Sequence, residues 1–374
     1  MSTSPFAPDT DLAAGMDPRS DDRSSAVHAD LRLVDWAPRS MLTAARTPVE
    51  RTCVPAIDIH NHLGRWLTDG EWCTPDVDAL LALMDATGLA AVVNLDGMWG
   101  TELEANLDRY DRAHPGRFLT FCQVDWTLLA GPGGEEAIAD QLRDGAARGA
   151  RGLKVWKNLG LEVRDATGTL VLPDDPRVIR TLGLAGTLGM PVLIHVADPK
   201  AFFDPLDRCN ERVDELFGCP DWSFADSARF PTFGRLLDAF ATLLAATPGT
   251  QYVGAHVGCV AEDLDHVERL LRGAPNLVVD LGGRLAEIGR QPRRFARLIA
   301  DLPDRFLFGT DAFPLTADQV RRYVSFLETT DESFDYSAEE IPPQGRWTIS
   351  GSGLPRDLLE RVYSGNARRV LGLP

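Results

Sequence analysis

Eight short apolar runs, each followed by a turn and an amphipathic stretch, constrain this chain more than any other feature. The runs are VPAIDIH, AAVVNLD, FLTFCQV, RGLKVW, PVLIHV, QYVGAHV, NLVVDLG and RFLFGTD, from Val54 to Asp311. The stretches between them carry apolar residues at helical spacing: Val77, Leu80, Leu81 and Met84 form one such face, and Phe233, Leu236, Leu237, Phe240, Leu243 and Leu244 another. Near-continuous apolar strands alternating with amphipathic helices read as parallel strands covered on both faces. Eight such units in series match a (β/α)8 TIM barrel. An open doubly wound sheet holds eight strands as well. Ligand-type residues that end strands spread across the whole set favour the barrel.

Composition narrows the class further. Hydrophobic residues make up 44% and charged residues 25% of 374, which is ordinary for a globular chain with a large core. The net charge of −17 disfavours nucleic acid and anionic membrane surfaces as partners. Cys53, Cys73, Cys122, Cys209, Cys219 and Cys259 contain no CxxC unit and read as free thiols of a reducing compartment. The start of the chain lacks the pattern of a signal peptide, and no apolar run approaches the roughly 20 residues of a membrane helix. A cytoplasmic protein is expected. Residues 1–28 are rich in Ser, Asp and Pro and are expected to form a disordered tail. Residues 29–53 are expected as an arm packed on the barrel, and 54–374 as the barrel itself.

Two excursions interrupt the pattern. Residues 197–231 follow the fifth strand and hold Phe202, Phe203, Trp222, Phe224 and Phe230. Loops of that length are usually functional, and this aromatic content predicts a lid, with Phe202 or Phe203 reaching the substrate. An oligomer contact is the competing reading. Residues 331–353, with Tyr336 and Trp347, are expected as a second insertion after strand eight.

Chemistry concentrates at the strand ends. His60 and His62 form a His-Asn-His unit at the end of the first strand, so both imidazoles point to one side. His195 ends PVLIH in the fifth run, His256 ends QYVGAH in the sixth and Asp311 ends RFLFGTD, the eighth. Three or more such ligands with an open position make a catalytic metal site. His114 and His266 read as surface residues. Asp58 shares the face of His60 and His62 and points into the barrel below them. Lys154 in GLKVW is either a metal-bridging residue or a buried cation paired with a carboxylate, for which Asp58 is available. Trp156 lies on the face of Lys154, as a substrate wall or as packing. Arg284, Glu287 and Arg290 follow strand seven. Arg284 is placed to clamp a substrate carboxylate or to sit on a solvated helix face. Asp198, Asn210 and Glu211 in the fifth loop fit ligand orientation or turn roles.

The motifs IDIHNH, GLKVW, PVLIH, GAHVG, FGTD and SGNARRVLGL together resemble the amidohydrolase superfamily, over about Val54–Leu373. The resemblance is to its amidohydrolase 2 branch, which includes hydrolases and nonoxidative decarboxylases related to aminocarboxymuconate-semialdehyde decarboxylase. It implies metal ligation by His60, His62, His195 and Asp311, and a substrate-facing or ligand role for His256. It implies one divalent metal ion, Zn before Mn, and two ions if Lys154 is carboxylated. The expected function is metal-dependent hydrolysis of a C–N or C–O bond in a small carbonyl substrate, with Asp311 moving the proton and His256 stabilising the oxyanion. The alternative is a metal-dependent carboxy-lyase acting on a small, aromatic acid. A noncatalytic binding barrel is the reading from another class. A small-molecule substrate is the expected partner, and a homo-oligomer is left open.

Overall fold

The computed structural model describes residues 30–32 and 35–374. The expected tail, 1–28, lies outside the described residues. The chain divides into two compact units with the boundary between Thr43 and Ala44, so the expected arm is shared between them. In the first unit Arg32 and Asp35 form a bidentate ion pair at 2.6 and 2.9 Å.

The second unit alternates strands and helices. Its strands are β1 (Ala56–Asn61), β2 (Leu89–Asn94), β3 (Phe118–Thr120), β4 (Leu153–Val155), β5 (Val192–Ile194), β6 (Tyr252–Gly254), β7 (Leu277–Asp280) and β8 (Phe306–Leu307). Six lie inside the apolar runs, while β1 extends one residue past its run to Asn61 and β2 starts one residue before its run at Leu89. The helices that follow them are α1 (Val77–Thr87), α2 (Gly100–Asn106), α3 (Gly134–Arg148), α4 (Pro176–Thr187), α5 (Phe233–Ala246), α6 (Leu264–Gly273), α7 (Pro292–Asp301) and α8 (Ala317–Glu328). Their start signals are local. Asp76 accepts from Ala79 N at α1, Asp175 from Arg177 N at α4, and Thr232 from Arg235 N at α5.

The strands pair in parallel, in the orders β1-β2-β3 and β4-β5-β6-β7-β8. Backbone hydrogen bonds bridge both seams between these sheets. Cys122 N donates to Gly152 O and Lys154 N to Cys122 O at 2.9 and 2.8 Å. On the other side Ile59 N donates to Phe308 O and Asp311 N to His60 O at 3.0 and 2.8 Å.

Two apolar clusters result. The larger lies between strands and helices. The smaller gathers Ile59, Val93, Leu193, Val253, Val278 and Leu307, with Ala367, Val370 and Leu371 of the last helix against it. Strand side chains alternate with a period of two. Leu193 and Val278 in that cluster therefore put His195 and Asp280 on the same face, one step toward the strand ends.

The excursion after β5 is not structureless. It contains 3-10 turns at Lys200–Phe203 and Pro220–Trp222 and a short helix at Val213–Gly218. The second excursion departs from expectation. Residues 331–353 follow α8 instead of leaving β8 directly, because Ala317–Glu328 forms a helix with a full capping box at Thr316 and Gln319. The segment nevertheless returns to the loop after β7. Gln344 Nε2 donates to Gly283 O at 3.1 Å and Trp347 Nε1 to Ala286 O at 3.1 Å. All six cysteines are free. No helix of the described residues is long and apolar enough to cross a membrane.

Candidate metal centre

Strand ends deliver His60, His62, His195, His256 and Asp311 to one place. His60 Nε2 and His62 Nε2 each lie 3.3 Å from Asp311 Oδ1. The His60 ring centroid is 4.9 Å from that of His256, which is 4.3 Å from that of His195. Ligand atoms of His60, His256 and Asp311 all lie within 4.8 Å of one another. That group shares His60 and Asp311 with the expected ligand set and adds His256. His195 is turned instead toward Asp198, with Nε2 3.3 Å from Asp198 Oδ1.

His256 reaches this cluster through unusual backbone. Val253 and Ala255 belong to the inner cluster, so strict alternation would turn His256 away. His256, Val257, Gly258 and Cys259 instead take φ of 59, 58, 70 and 64°, a left-handed turn. Asp311 is left-handed too, at φ 55°. Such conformations cost about 1–2 kcal/mol per residue and cluster at functional sites.

The donor set fits a metal ion. His60 Nδ1 donates to Asp280 Oδ2 at 3.0 Å and His62 Nδ1 to Asp96 Oδ1 at 2.6 Å. Each Nε2 is thereby left facing inward, the arrangement typical of metal-binding histidines. Buried His195 has no hydrogen-bond partner at Nδ1, and at Nε2 it has only Asp198, at 3.3 Å.

The electrostatics follow from burial among these charges. For Asp311, burial would raise the pKa, but His60, His62 and His256 hold it well below the usual carboxylate range. For His62, burial opposes the charge, yet Asp96 and Asp311 raise its pKa to about 9. Burial lowers His195 to about 4 against the pull of Asp198. Burial and the Arg284 charge push His256 well below the ordinary histidine value.

The other expected residues fall into place around this cluster. Asp58 does not pair with Lys154. Its oxygens accept from Thr310 N, Thr310 Oγ1 and His60 N at 3.0, 2.6 and 3.2 Å, and burial raises its pKa to about 6. Lys154 Nζ lies 3.5 Å from His60 Nε2, and burial lowers it to about 8 although Asp311 and Asp280 favour its charge. Trp156 presents its ring edge-on to His62 and His195 at 5.7 and 5.6 Å and to Trp66 at 5.1 Å. Arg284 is not on a solvated face. It is buried, donates to Gly283 O at 2.8 Å, and has no carboxylate within 4.0 Å among the described residues. Gly283 sits against Asp311, since a Cβ there would be 3.1 Å from Asp311 Oδ2.

Phe202 packs within its own excursion, and Phe203 packs against both the excursion and the start of α5. Phe202 stacks on Trp222 at 6.2 Å, and Phe203 meets Phe224 and Phe233 at 5.2 and 5.4 Å. Trp222 and Phe224 are the aromatic residues of the excursion near Lys157. They lie 5.1 and 5.9 Å from Lys157 Nζ, which donates to Asp198 Oδ2 at 2.5 Å.

Asp96 and Asp280 were missed as site residues. Asp96 ends its apolar run, as Asp311 does, and Asp280 interrupts its run two residues from the end; those positions were the available signal. Lys157 and Trp66 carried no signal in sequence.

A family model described as amidohydrolase matches residues 57–373. The chain belongs to the amidohydrolase 2 family. No curated protein matches this amidohydrolase-family chain. Among solved structures it is similar to 2,6-dihydroxybenzoate decarboxylase from Rhizobium, at 16% identity and a TM-score of 0.55, covering 85% of this chain and 99% of that one. It is also similar to a dihydroxybenzoic acid decarboxylase from a Polaromonas species with bound manganese and the inhibitor 2-nitroresorcinol, at 14% identity and a TM-score of 0.52, covering 85% and 97%. A putative amidohydrolase from Staphylococcus aureus matches at 14% identity and a TM-score of 0.51, covering 86% and 100%. At these identities the likeness shows a common fold.

Proposed function

We propose that this amidohydrolase-family chain is a metal-dependent carboxy-lyase that removes carbon dioxide from a small, planar carboxylic acid. The observation that carries the reading is Arg284: a buried guanidinium that donates to Gly283 O, next to the glycine that stands against Asp311, with no carboxylate within 4.0 Å among the described residues. A buried cation left without an anion is costly. A substrate carboxylate would complete it through two parallel hydrogen bonds. The edges and faces of Trp156 and Trp66 supply a wall for a flat ring. The dihydroxybenzoate decarboxylases among the similar structures support the same substrate class. This reverses the order expected from sequence, where hydrolysis came first.

The two seams are read as closing the strands into one (β/α)8 barrel, with the excursion after β5 as a lid. His60, His62, His195 and Asp311 would hold one divalent ion, with His256 at its side. When bound, the ion would act as a Lewis acid on a substrate oxygen. Asp311, with a carboxylate partly open to solvent, accepts a proton from a substrate hydroxyl or from water. The carbon–carboxylate bond then breaks, its electron pair stays on the substrate carbon, and Asp311 returns a proton to that carbon. His256, neutral and held by Gly282 O at 2.8 Å, stays placed beside Asp311. Hydrolysis remains the second reading, because the same Asp311 could deprotonate water.

The test is a panel of carboxyl-labelled hydroxybenzoates beside neutral lactones and amides, with manganese- or zinc-loaded protein. The reading requires labelled carbon dioxide in equal amount to acid consumed, and a rise in KM for acids in Arg284→Met. Turnover of neutral esters or amides with no carbon dioxide would replace it with the hydrolase.

A further inference from the structure

Asp280 ends β7, is fully buried, and accepts three hydrogen bonds with one carboxylate. Its Oδ2 takes His60 Nδ1 at 3.0 Å. Its Oδ1 takes the backbone N–H groups of His256 and Gly282 at 3.1 and 2.8 Å. Gly282 in turn gives its carbonyl to His256 Nδ1 at 2.8 Å. One side chain thus touches the ring of β1's histidine and the backbone that aims β6's histidine. His256 is the first residue of the left-handed turn, where the backbone most needs an external hold.

The surroundings leave this carboxylate no other place. A Cβ on Gly282 would stand 3.1 Å from Asp280 Oδ1 and 3.2 Å from His60 Nδ1. One on Gly309 would stand 3.3 Å from Asp280 Cβ and 3.2 Å from His60 Cβ. Asp96 differs in reach. It accepts from His62 Nδ1, Trp66 Nε1 and Gly64 N, and so orients one histidine alone.

We propose that Asp280 is a positioning residue that fixes His60 and His256 as a pair, holding both rings as Nδ1–H tautomers, with His60 Nε2 free toward Asp311. This rests on the reading of the cluster as a metal centre only for its effect on affinity, since the tautomers exist in the metal-free protein.

The chemistry of Asp280→Asn is specific. An amide has one accepting oxygen and one donating nitrogen. If the nitrogen replaces Oδ2, it faces His60 Nδ1 and forces the proton to Nε2, where it blocks ligation. If the amide is flipped, the nitrogen confronts the N–H groups of His256 and Gly282. Either way one of the two histidines loses its hold.

The experiment is nitrogen-15 NMR of the histidine rings in metal-free protein, with zinc titration of the same samples. Wild type should show His60 and His256 as Nδ1–H tautomers. Asp280→Asn should move His60 to Nε2–H or release His256, and weaken zinc binding by about 10–100-fold. Asp96→Asn should alter the His62 ring alone. Wild-type His60 with its proton on Nε2 would overturn the proposal without any variant, as would Asp280→Asn with unchanged tautomers and zinc affinity. Correct tautomers in a wild type that binds no zinc would uphold the positioning and reject the metal reading.

Discussion

Removing either member of the buried Arg212–Glu287 pair should unfasten the excursion after β5, and the two single variants should not cost the same. Arg212 comes from that excursion and Glu287 from the short helix after β7, and both side chains are about fully buried, at 1% and 0% exposure. Arg212 has a second carboxylate, Glu215, at 2.5 Å. Glu287 has no second cation within ion-pair distance among the described residues, and its Oε2 has no partner. Breaking a buried pair by removing one partner costs about 3–5 kcal/mol. Glu287→Gln leaves Arg212 paired with Glu215, so the low end, about 3 kcal/mol, applies. Arg212→Met strands Glu287 in a buried site, so the high end, about 5 kcal/mol, applies. Replacing both with apolar residues of similar volume removes charge and desolvation together and should restore most of the loss. The assay is urea unfolding of Arg212→Met, Glu287→Gln and the double variant Arg212→Met/Glu287→Leu, comparing midpoints at constant slope, with limited proteolysis at residues 200–230. Equal losses in the two single variants, or a double variant whose loss is their sum, would refute the reasoning.

Other outcomes test the site directly. Asp311→Asn should keep much of the metal and lose nearly all turnover, because the amide oxygen still ligates but no longer accepts a proton, whereas His60→Ala should lose the metal. Metal analysis of His195→Ala and His256→Ala separates the two ligand assignments: loss in the first and retention in the second is expected. Gly282→Ala would bring a Cβ to 3.0 Å from Asp311 Cβ and 3.2 Å from His60 Nδ1, and activity should fall by at least about tenfold, or 1.4 kcal/mol of barrier. With His62 raised to about 9 in the metal-free site, metal binding near pH 7.5 must expel its proton. Affinity should therefore rise with pH up to that value, and calorimetry in buffers of different ionisation enthalpy should count about one proton released per ion.

The strands were legible because parallel strands covered on both faces are apolar along their whole length. Observed strands are shorter than the runs, down to Phe306–Leu307 for β8, since the run ends already bend toward the site. The residues of the candidate site were legible for the same reason, as polar residues that interrupt apolar runs near their ends. Asp96 and Asp280 satisfy that rule too, but their partners lie 34 and 220 residues away in sequence, and no local pattern names them. The aim of His256 depends on a left-handed turn that includes Val257, a conformation a β-branched residue rarely adopts. Phe202 stacks on Trp222 and Phe203 packs against Phe224 and Phe233, contacts that no local pattern in the sequence names. Arg284 could not be placed from sequence, since the loop that carries it is met by a segment 61 residues on, where Gln344 donates to Gly283 O.

The most direct test of the account is the metal content of the dialysed protein, measured by mass spectrometry beside His60→Ala after loading both with zinc or manganese. The account predicts about one ion per chain in the wild type and almost none in the variant. A wild type that retains no ion, or a variant that retains as much as the wild type, would contradict it.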